Sequence, residues 1–275
     1  MATTRKSSVP RPPRRAARPP VDTADPAGLA DVPPPLAFER TAAAAEDEGF
    51  DSATAAVFGA VVAVDVFCVA EVSGGGSGPL DALLKAAGLA EQALSDTGAG
   101  DAEFTHLFSP RLPFDVLLDV PGRLTAADLF LARHSADLPA DAVRAVKALL
   151  RAEDAVARAT WEGKTVTIQD LATGRALPGP ALFRRGSRPF VCRLVRLGGA
   201  FVPVAVERVE GRPSEERLLR EVASASLLAR DVLKAAGLKL RRTRKGFGLG
   251  SRLLAAAEAD DVPRRPVRRP KRRSS

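Results

Sequence analysis

AVARATWEGKTVTIQD, residues 155–170, is where the texture of this chain changes and where its fold class is decided. Residues 155–161 and 164–169 alternate apolar and polar side chains around a turn at Glu162–Gly163, the period-two pattern of a half-buried hairpin. A turn-rich link, DLATGRALPGP (170–180), follows. PFVCRLVR (189–196) and AFVPVAVER (200–208) then form a second hairpin across Gly198–Gly199. Four or five short strands in about 55 residues predict a small antiparallel β barrel or rolled sheet, occupying a β module over 153–211.

Upstream the period is helical, and 37–152 reads as an α-helical domain. Within ATAAVFGAVVAVDVFCVA (53–70), Val57, Phe58, Val61, Val62, Asp65, Cys68 and Val69 share one helical face. Val62, Val64 and Val66 would instead share a strand face; the helical reading is preferred. A membrane span needs about 20 strongly apolar residues, and a central Asp costs roughly 2.5–3.5 kcal/mol on insertion scales. Asp65 and the many alanines therefore point to a buried element and against a membrane partner.

GGGSG (74–78) is a connector. Pro79 suits a first helical position and Gly88 a stop, so 79–87 is expected as a short helix, with another turn or two over 89–95. Leu112, Phe114, Val116 and Leu117 are expected in the helical core. Thr125 caps a helix over 126–134, whose Ala127, Phe130, Leu131 and His134 share a face. Leu138–Pro139 opens the next helix, with Val143, Val146, Leu149 and Leu150 as its stripe. Residues 212–238 form a packing helix, capped by Ser214, with Glu215 and Glu216 in its first turn and Gly237 at its end. Its stripe is Leu218, Leu219, Val222, Ala225, Ala229, Val232, Leu233 and Ala236. The expected class is α+β: a mainly helical body, a small antiparallel β unit, a long C-terminal helix and disordered basic termini.

The stretch FDVLLDVPGRLTAADLFLARHSADL (114–138), then an amphipathic helix, then VTIQDLATGRALPGPALF (166–183) has a recognisable order. It resembles poorly characterised bacterial proteins in which a helical segment ending in an FLA-R-like helix leads into a small β module with a D-L-x-T-G turn. Some of these carry a Cys-rich, SEC-C-type zinc motif at one end. Here no Cys-x-Cys or Cys-His pair stands near either terminus, so no zinc role follows. The resemblance spans roughly residues 105–210 and implies a fold arrangement without a reaction.

Charge is segregated along the chain. Residues 1–20 hold six Lys/Arg and no acid, 239–275 hold thirteen Lys/Arg against three acids, and the 218 residues between hold 22 bases and 30 acids. The net charge of +8 thus belongs to two arms around an acidic body. Dense Pro and Arg without apolar periodicity predict disorder over 1–36 and through most of 239–275. Basic clusters release counterions when they neutralise phosphates, so the arms point to DNA or RNA. The candidate contacts are Arg241, Arg242, Arg244, Lys245, Arg264, Arg265, Arg268, Arg269, Lys271, Arg272 and Arg273. A secondary basic face could be made by Arg184, Arg185, Arg188, Arg193 and Arg196, since small barrels bind nucleic acid through such faces. Arg outnumbers Lys 33 to 8. Ala, Arg, Gly and Pro have GC-rich codons, so a high-GC bacterial genome explains the Arg excess, and only the clustering carries information.

Gly246–Gly250 lacks a preceding strand, and GGGSG lacks a following Gly-Lys-Ser/Thr, so neither is a nucleotide loop. Cys68 and Cys192 supply no zinc site and no disulfide framework, which suits a reduced cytoplasm. His106 and His134 have no ligand partners at helical spacing, and Asp115, Asp119 and Asp128 read as turn or first-turn acids. No Ser-His-Asp order, nucleophile elbow or Cys-His pairing is visible. The expected protein is cytoplasmic and non-enzymatic, without cofactor, and binds nucleic acid non-specifically. An interaction or regulatory module with solubilising tails, meeting an acidic protein, is the alternative; an enzyme with an unrecognised site is the third.

Overall fold

The computed structural model describes residues 32–73, 112–182, 188–208, 214–235, 237–243 and 246–247. The expected helix at 79–87, the turns at 89–95 and the disorder of most of both arms lie outside these residues. Two long helices open the body: α1, Pro34–Asp47, and α2, Ser52–Ser73. Pro34 begins α1, where a missing N–H costs nothing. Asp51 caps α2, its carboxylate accepting from the Thr54 N–H and hydroxyl. The two helices cross at Gly59, where an added Cβ would lie 2.8 Å from the Phe38 carbonyl oxygen. The helical reading of 53–70 holds, and so does burial of much of it: Ala56, Val57, Ala60, Ala63, Val64 and Phe67 sit in the main core. Among the described residues this one helix is long and apolar enough to cross a membrane, but 56% of that window is buried within the protein.

A one-turn helix, α3 (Leu112–Asp115), leads into β1 (Val116–Leu117). Next come α4, Ala126–His134, and α5, Ala140–Leu149. Thr125 caps α4 as expected, and Asp128 completes a capping box: the Asp128 N–H donates to Thr125 Oγ1, while the Thr125 N–H donates to Asp128 Oδ2. Phe130, Val146 and Leu149 are fully buried.

The sheet follows: β2 (Glu153–Glu162), β3 (Thr165–Asp170), β4 (Ala176–Pro178), β5 (Pro189–Leu197) and β6 (Ala200–Arg208), antiparallel throughout in the order β4-β3-β2-β5-β6. Residues 176–178, expected as part of a link, pair with β3 as a short edge strand. The D-L-x-T-G turn that carries the chain there is held by Asp170, whose carboxylate accepts from the Ala172 N–H and the Thr173 hydroxyl. The first hairpin turns at Gly163–Lys164, one residue later than expected. The second turns at Gly198–Gly199, both with positive φ, the geometry that matches strand twist. A bulge in β6 places Ala205 at φ +49, where β5 and β6 slip register.

The expected barrel is not closed: among the described residues β4 and β6 are the unpaired edges of an open sheet. They do come close, since a Cβ at Gly179 would lie 2.8 Å from the Phe201 carbonyl oxygen. One face of this sheet buries Ala157, Ile168, Phe190, Cys192 and Phe201 among themselves. The other face packs on helices. There Val195, Val202 and Val204 join the core of α2, α4 and α5, while Val156 and Val191 meet Leu218, Val222 and Ala223 of α6, Glu215–Ala235.

Ser214 accepts from the Arg217 N–H at the start of α6, and Gly237, φ +80, ends it. The chain does not leave the body there. Strand β7, Lys239–Leu240, pairs antiparallel with β1, and buried Leu240 joins the main core. A short hairpin of β8, Arg242–Thr243, and β9, Gly246–Phe247, comes next. Residues 34–36 and 239–240, expected in the arms, thus belong to regular structure of the body. Short polar strands escape period-based reading because their pairing partner, β1, is far away in sequence.

Leu233 is 1% exposed and bridges α6 to the main core. Leu233→Ala should cost about 2–4 kcal/mol in urea denaturation, through lost burial and a residual cavity. Half-buried Leu219 should lose less on the same change. Equal losses would mean that α6 packs through a different face.

Candidate nucleic-acid interface

Of the residues expected to meet phosphates, Arg244, Lys245, Arg264, Arg265, Arg268, Arg269, Lys271, Arg272 and Arg273 lie outside the described residues, as do Arg184 and Arg185. Arg242 stands in β8. Arg241 is tied to the body twice: its N–H donates to the Asp115 carbonyl at 2.8 Å, and its guanidinium lies 3.6 Å from the Asp128 carboxylate. The C-terminal basic arm therefore has a fixed root. Everything beyond Arg241 departs from a defined point beside α3 and α4.

The secondary face does not assemble as expected. Arg188 and Arg196 are exposed, but they stand at opposite ends of β5. At roughly 3.4 Å per residue they are about 27 Å apart. Arg193 faces the other way, with the helix-facing side of the sheet, and is only 3% exposed. Its Nη1 donates to Asp115 Oδ2 at 2.7 Å and its Nη2 to Asp115 Oδ1 at 2.9 Å, with a further bond to the Leu149 carbonyl at 3.3 Å. Its guanidinium carbon lies 5.6 Å from the centre of the Phe114 ring. Burial alone would lower its pKa; the Asp115 charge and hydrogen bonds, with the charge of Asp154, raise it above the ordinary arginine value. Arg193 is a structural cation and is withdrawn from the basic face. Asp115, read as a turn acid, is its counterion.

The sequence carried a signal for this. In PFVCRLVR, Arg193 shares its strand face with Val191 and Val195. A cation at the centre of an apolar face must be paired or it does not stay there.

Six further body arginines are neutralised in place, Arg230 by Asp231 among them. Ion pairs join Arg133 to Glu71, Arg144 to Asp141, Arg158 to Glu215, Arg217 to Glu221 and Arg220 to Glu216. Exposed pairs of this kind add little stability, about 0–1 kcal/mol each. Their effect is on the field: they cancel positive charge on the body's surface.

The reactive groups read as inert. Burial pushes the Cys68 thiol up to about 12, helped by the charges of Asp65 and Glu71. Burial likewise holds the Cys192 thiol well above its usual range, with Asp154 and Asp170 adding to the shift. A thiol is nucleophilic as its thiolate, so neither is activated at neutral pH. His134 packs against the rings of Phe67 and Phe130. Asp65 keeps solvent contact, yet the apolar mass around it pushes its carboxyl up to about 7. Among the described residues no three His, Cys, Asp or Glu side chains cluster as metal ligands would. A depression of about 380 Å³ opens between Ser52, Ala53, Ala56, Asp141, Arg144, Leu197 and Gly198, and its two charged groups pair with each other.

The chain matches no protein-family model, no curated protein and no solved structure. The resemblance drawn from residues 105–210 rests on those residues alone.

Two measurements test this geometry. Arg193→Met should cost about 3–5 kcal/mol by stranding a partly buried carboxylate, while Arg193→Met with Asp115→Leu should recover most of that loss. Equal stability of the single and double variants would mean the pair is not coupled. Native-state alkylation at pH 7.5 should modify Cys68 slowly and Cys192 only on unfolding; rapid labelling of either would reveal an activated thiol.

Proposed function

We propose that this protein is a non-enzymatic, nucleic-acid-associated protein that binds phosphates without base specificity through its basic arms. The observation that carries this reading is the separation of charge: +6 over residues 1–20 and +10 over 239–275, around a body of −8. Arms of that density gain free energy from counterion release on any polyphosphate. Among the described residues seven of the body's eighteen arginines are ion-paired, and its 30 acids outnumber its 22 bases, so the cationic surplus resides in the arms. The anchored strand at Lys239–Leu240 gives the longer arm a rigid base from which to reach a backbone. RRPVRRPKRR, 264–273, contributes seven bases and no acid, interrupted by prolines. The body then acts as a folded carrier, in the cytoplasm, and no cofactor enters the scheme.

A salt titration of binding tests the reading. Contact with about 4–6 phosphates gives a log–log slope of roughly −4 to −5 on duplex DNA. Deleting 262–275 should flatten the slope and weaken two unrelated duplexes and one RNA about equally, because phosphate contacts hold no base code. A truncated protein that binds with unchanged affinity and slope makes the arm a tail.

A further inference from the structure

Arg193 and Arg241 each meet a carboxylate, on unequal terms. Arg193 makes two short bonds to Asp115. Arg241 stands 3.6 Å from Asp128 Oδ2, beyond hydrogen-bond reach. That oxygen already accepts from the Thr125 N–H and hydroxyl. Arg241 Nη1 is buried, yet among the described residues it has no hydrogen-bond partner. A buried donor whose lost hydration is not replaced weakens the contact that holds it.

The backbone at this point is held as lightly. β7 is two residues long and pairs only with β1, in a two-stranded sheet. One further bond runs from the Arg241 N–H to the Asp115 carbonyl. Leu240 is the buried anchor, while Lys239 is exposed. Short ladders of this kind open locally, without unfolding the sheet. Arg241 also opens RRTRK, 241–245, the bases that lead into the arm.

We infer that β7 and Arg241 form a releasable strap, closed on β1 in the free protein and peeled off when duplex DNA is bound, with Arg241 exchanging Asp128 for a phosphate. The inference rests on the nucleic-acid reading above and adds a closed state that opposes binding. A phosphate oxygen placed on the latched guanidinium would stand beside the Asp128 carboxylate, so closure and phosphate contact compete at Arg241. Residues 264–273, a stretch without an acid, engage first from the anchored base, and the root follows. Release strips β1 of its partner strand. It also frees the main chain of Asp115, whose carboxylate holds Arg193 of the sheet. By linkage, whatever favours the open strap tightens binding, and binding opens the strap to the same extent.

Hydrogen exchange on the full-length protein reads the strap directly. At low salt, a mixed-sequence DNA duplex should speed exchange in peptides covering 112–120 and 237–243 by about ten-fold and leave β2 and β5 unchanged. Slower or unchanged exchange at β1 means a strap that stays shut, and overturns the inference. A salt titration reads Arg241 itself. Arg241→Ala should flatten the log–log slope by about 0.9, the share of one phosphate, while Arg241→Lys keeps the wild-type slope. A slope that Arg241→Ala leaves unchanged places this residue on the body in the complex and sinks the strap alone. Asp128→Asn retains an oxygen for the Thr125 N–H but loses the latching charge, and should tighten binding about three-fold. Asp137→Asn, at an exposed acid elsewhere on the body, controls for net charge. Equal gains in the two variants overturn the pairing with Asp128. Trp161 fluorescence reports a folded sheet in each variant. A full-length protein that does not bind the duplex at all removes the nucleic-acid reading and the strap together.

Discussion

A guanidinium buried between a sheet and a helical layer sets the arrangement of this body. Arg193 leaves β5 on the face that must pack against helices, and its charge can stay there only if a counterion meets it. Asp115 meets it with both oxygens, Leu149 adds a carbonyl from the end of α5, and Phe114 lies against the cation. The same residue, Asp115, accepts the Arg241 N–H through its main chain. One carboxylate residue thus ties together the sheet, the α3–β1 segment and the root of the C-terminal arm. Hydrophobic packing alone would let β5 and β6 slide over the helices, since Val195, Val202 and Val204 are similar in shape. A bidentate pair fixes one position, because a shift of a few ångströms would strand two charges in a place of low polarity.

The local elements were legible in the sequence because each rests on neighbours a few residues apart. Thr125 and Asp128, Ser214 and Gly237, Gly198 and Gly199 mark their helix ends and turn by short-range bonding. The alternation of β2 and β3 follows from a period that needs no tertiary knowledge; α2 was legible as a helix, but it is apolar nearly all round, so its buried face (Ala56, Val57, Ala60, Ala63, Val64 and Phe67) was not. What escaped was long-range. The β1–β7 pair joins residues more than a hundred positions apart in two-residue strands, too short to show a period. Whether the sheet closes depends on the meeting of β4 and β6, which no single strand encodes. Arg193 was misplaced because charge was read as surface, although its strand neighbours on the same face are valines.

The candidate interface divides along the same line. Clustering of bases is a property of composition and can be seen in any linear sequence. Whether a given base is free is a property of the fold. By sequence Arg241 stood in the main phosphate set and Arg193 in the secondary face, yet one is held beside Asp128 and the other is buried against Asp115. Arg188 and Arg196 remain exposed but far apart on one strand. The strong arm-to-body contrast survives these subtractions, because it depends on residues 264–273 and 1–20 and not on the β unit.

An acidic body between basic arms has its own physical consequence. At physiological ionic strength the Debye length is about 8 Å, so the body's negative field is felt by the first few residues of an arm and not by its tip. The root at Arg241 lies inside that range, beside Asp115 and Asp128, and is drawn onto the body. Residues 264–273 begin more than twenty positions further on; in an extended chain they can stand several Debye lengths away. Under the proposed binding to a polyphosphate, repulsion from the acidic body would hold the body off the backbone while the arm engages it. The body would then stay available for other contacts, and affinity would be set by the arm's charge count more than by any surface of the fold.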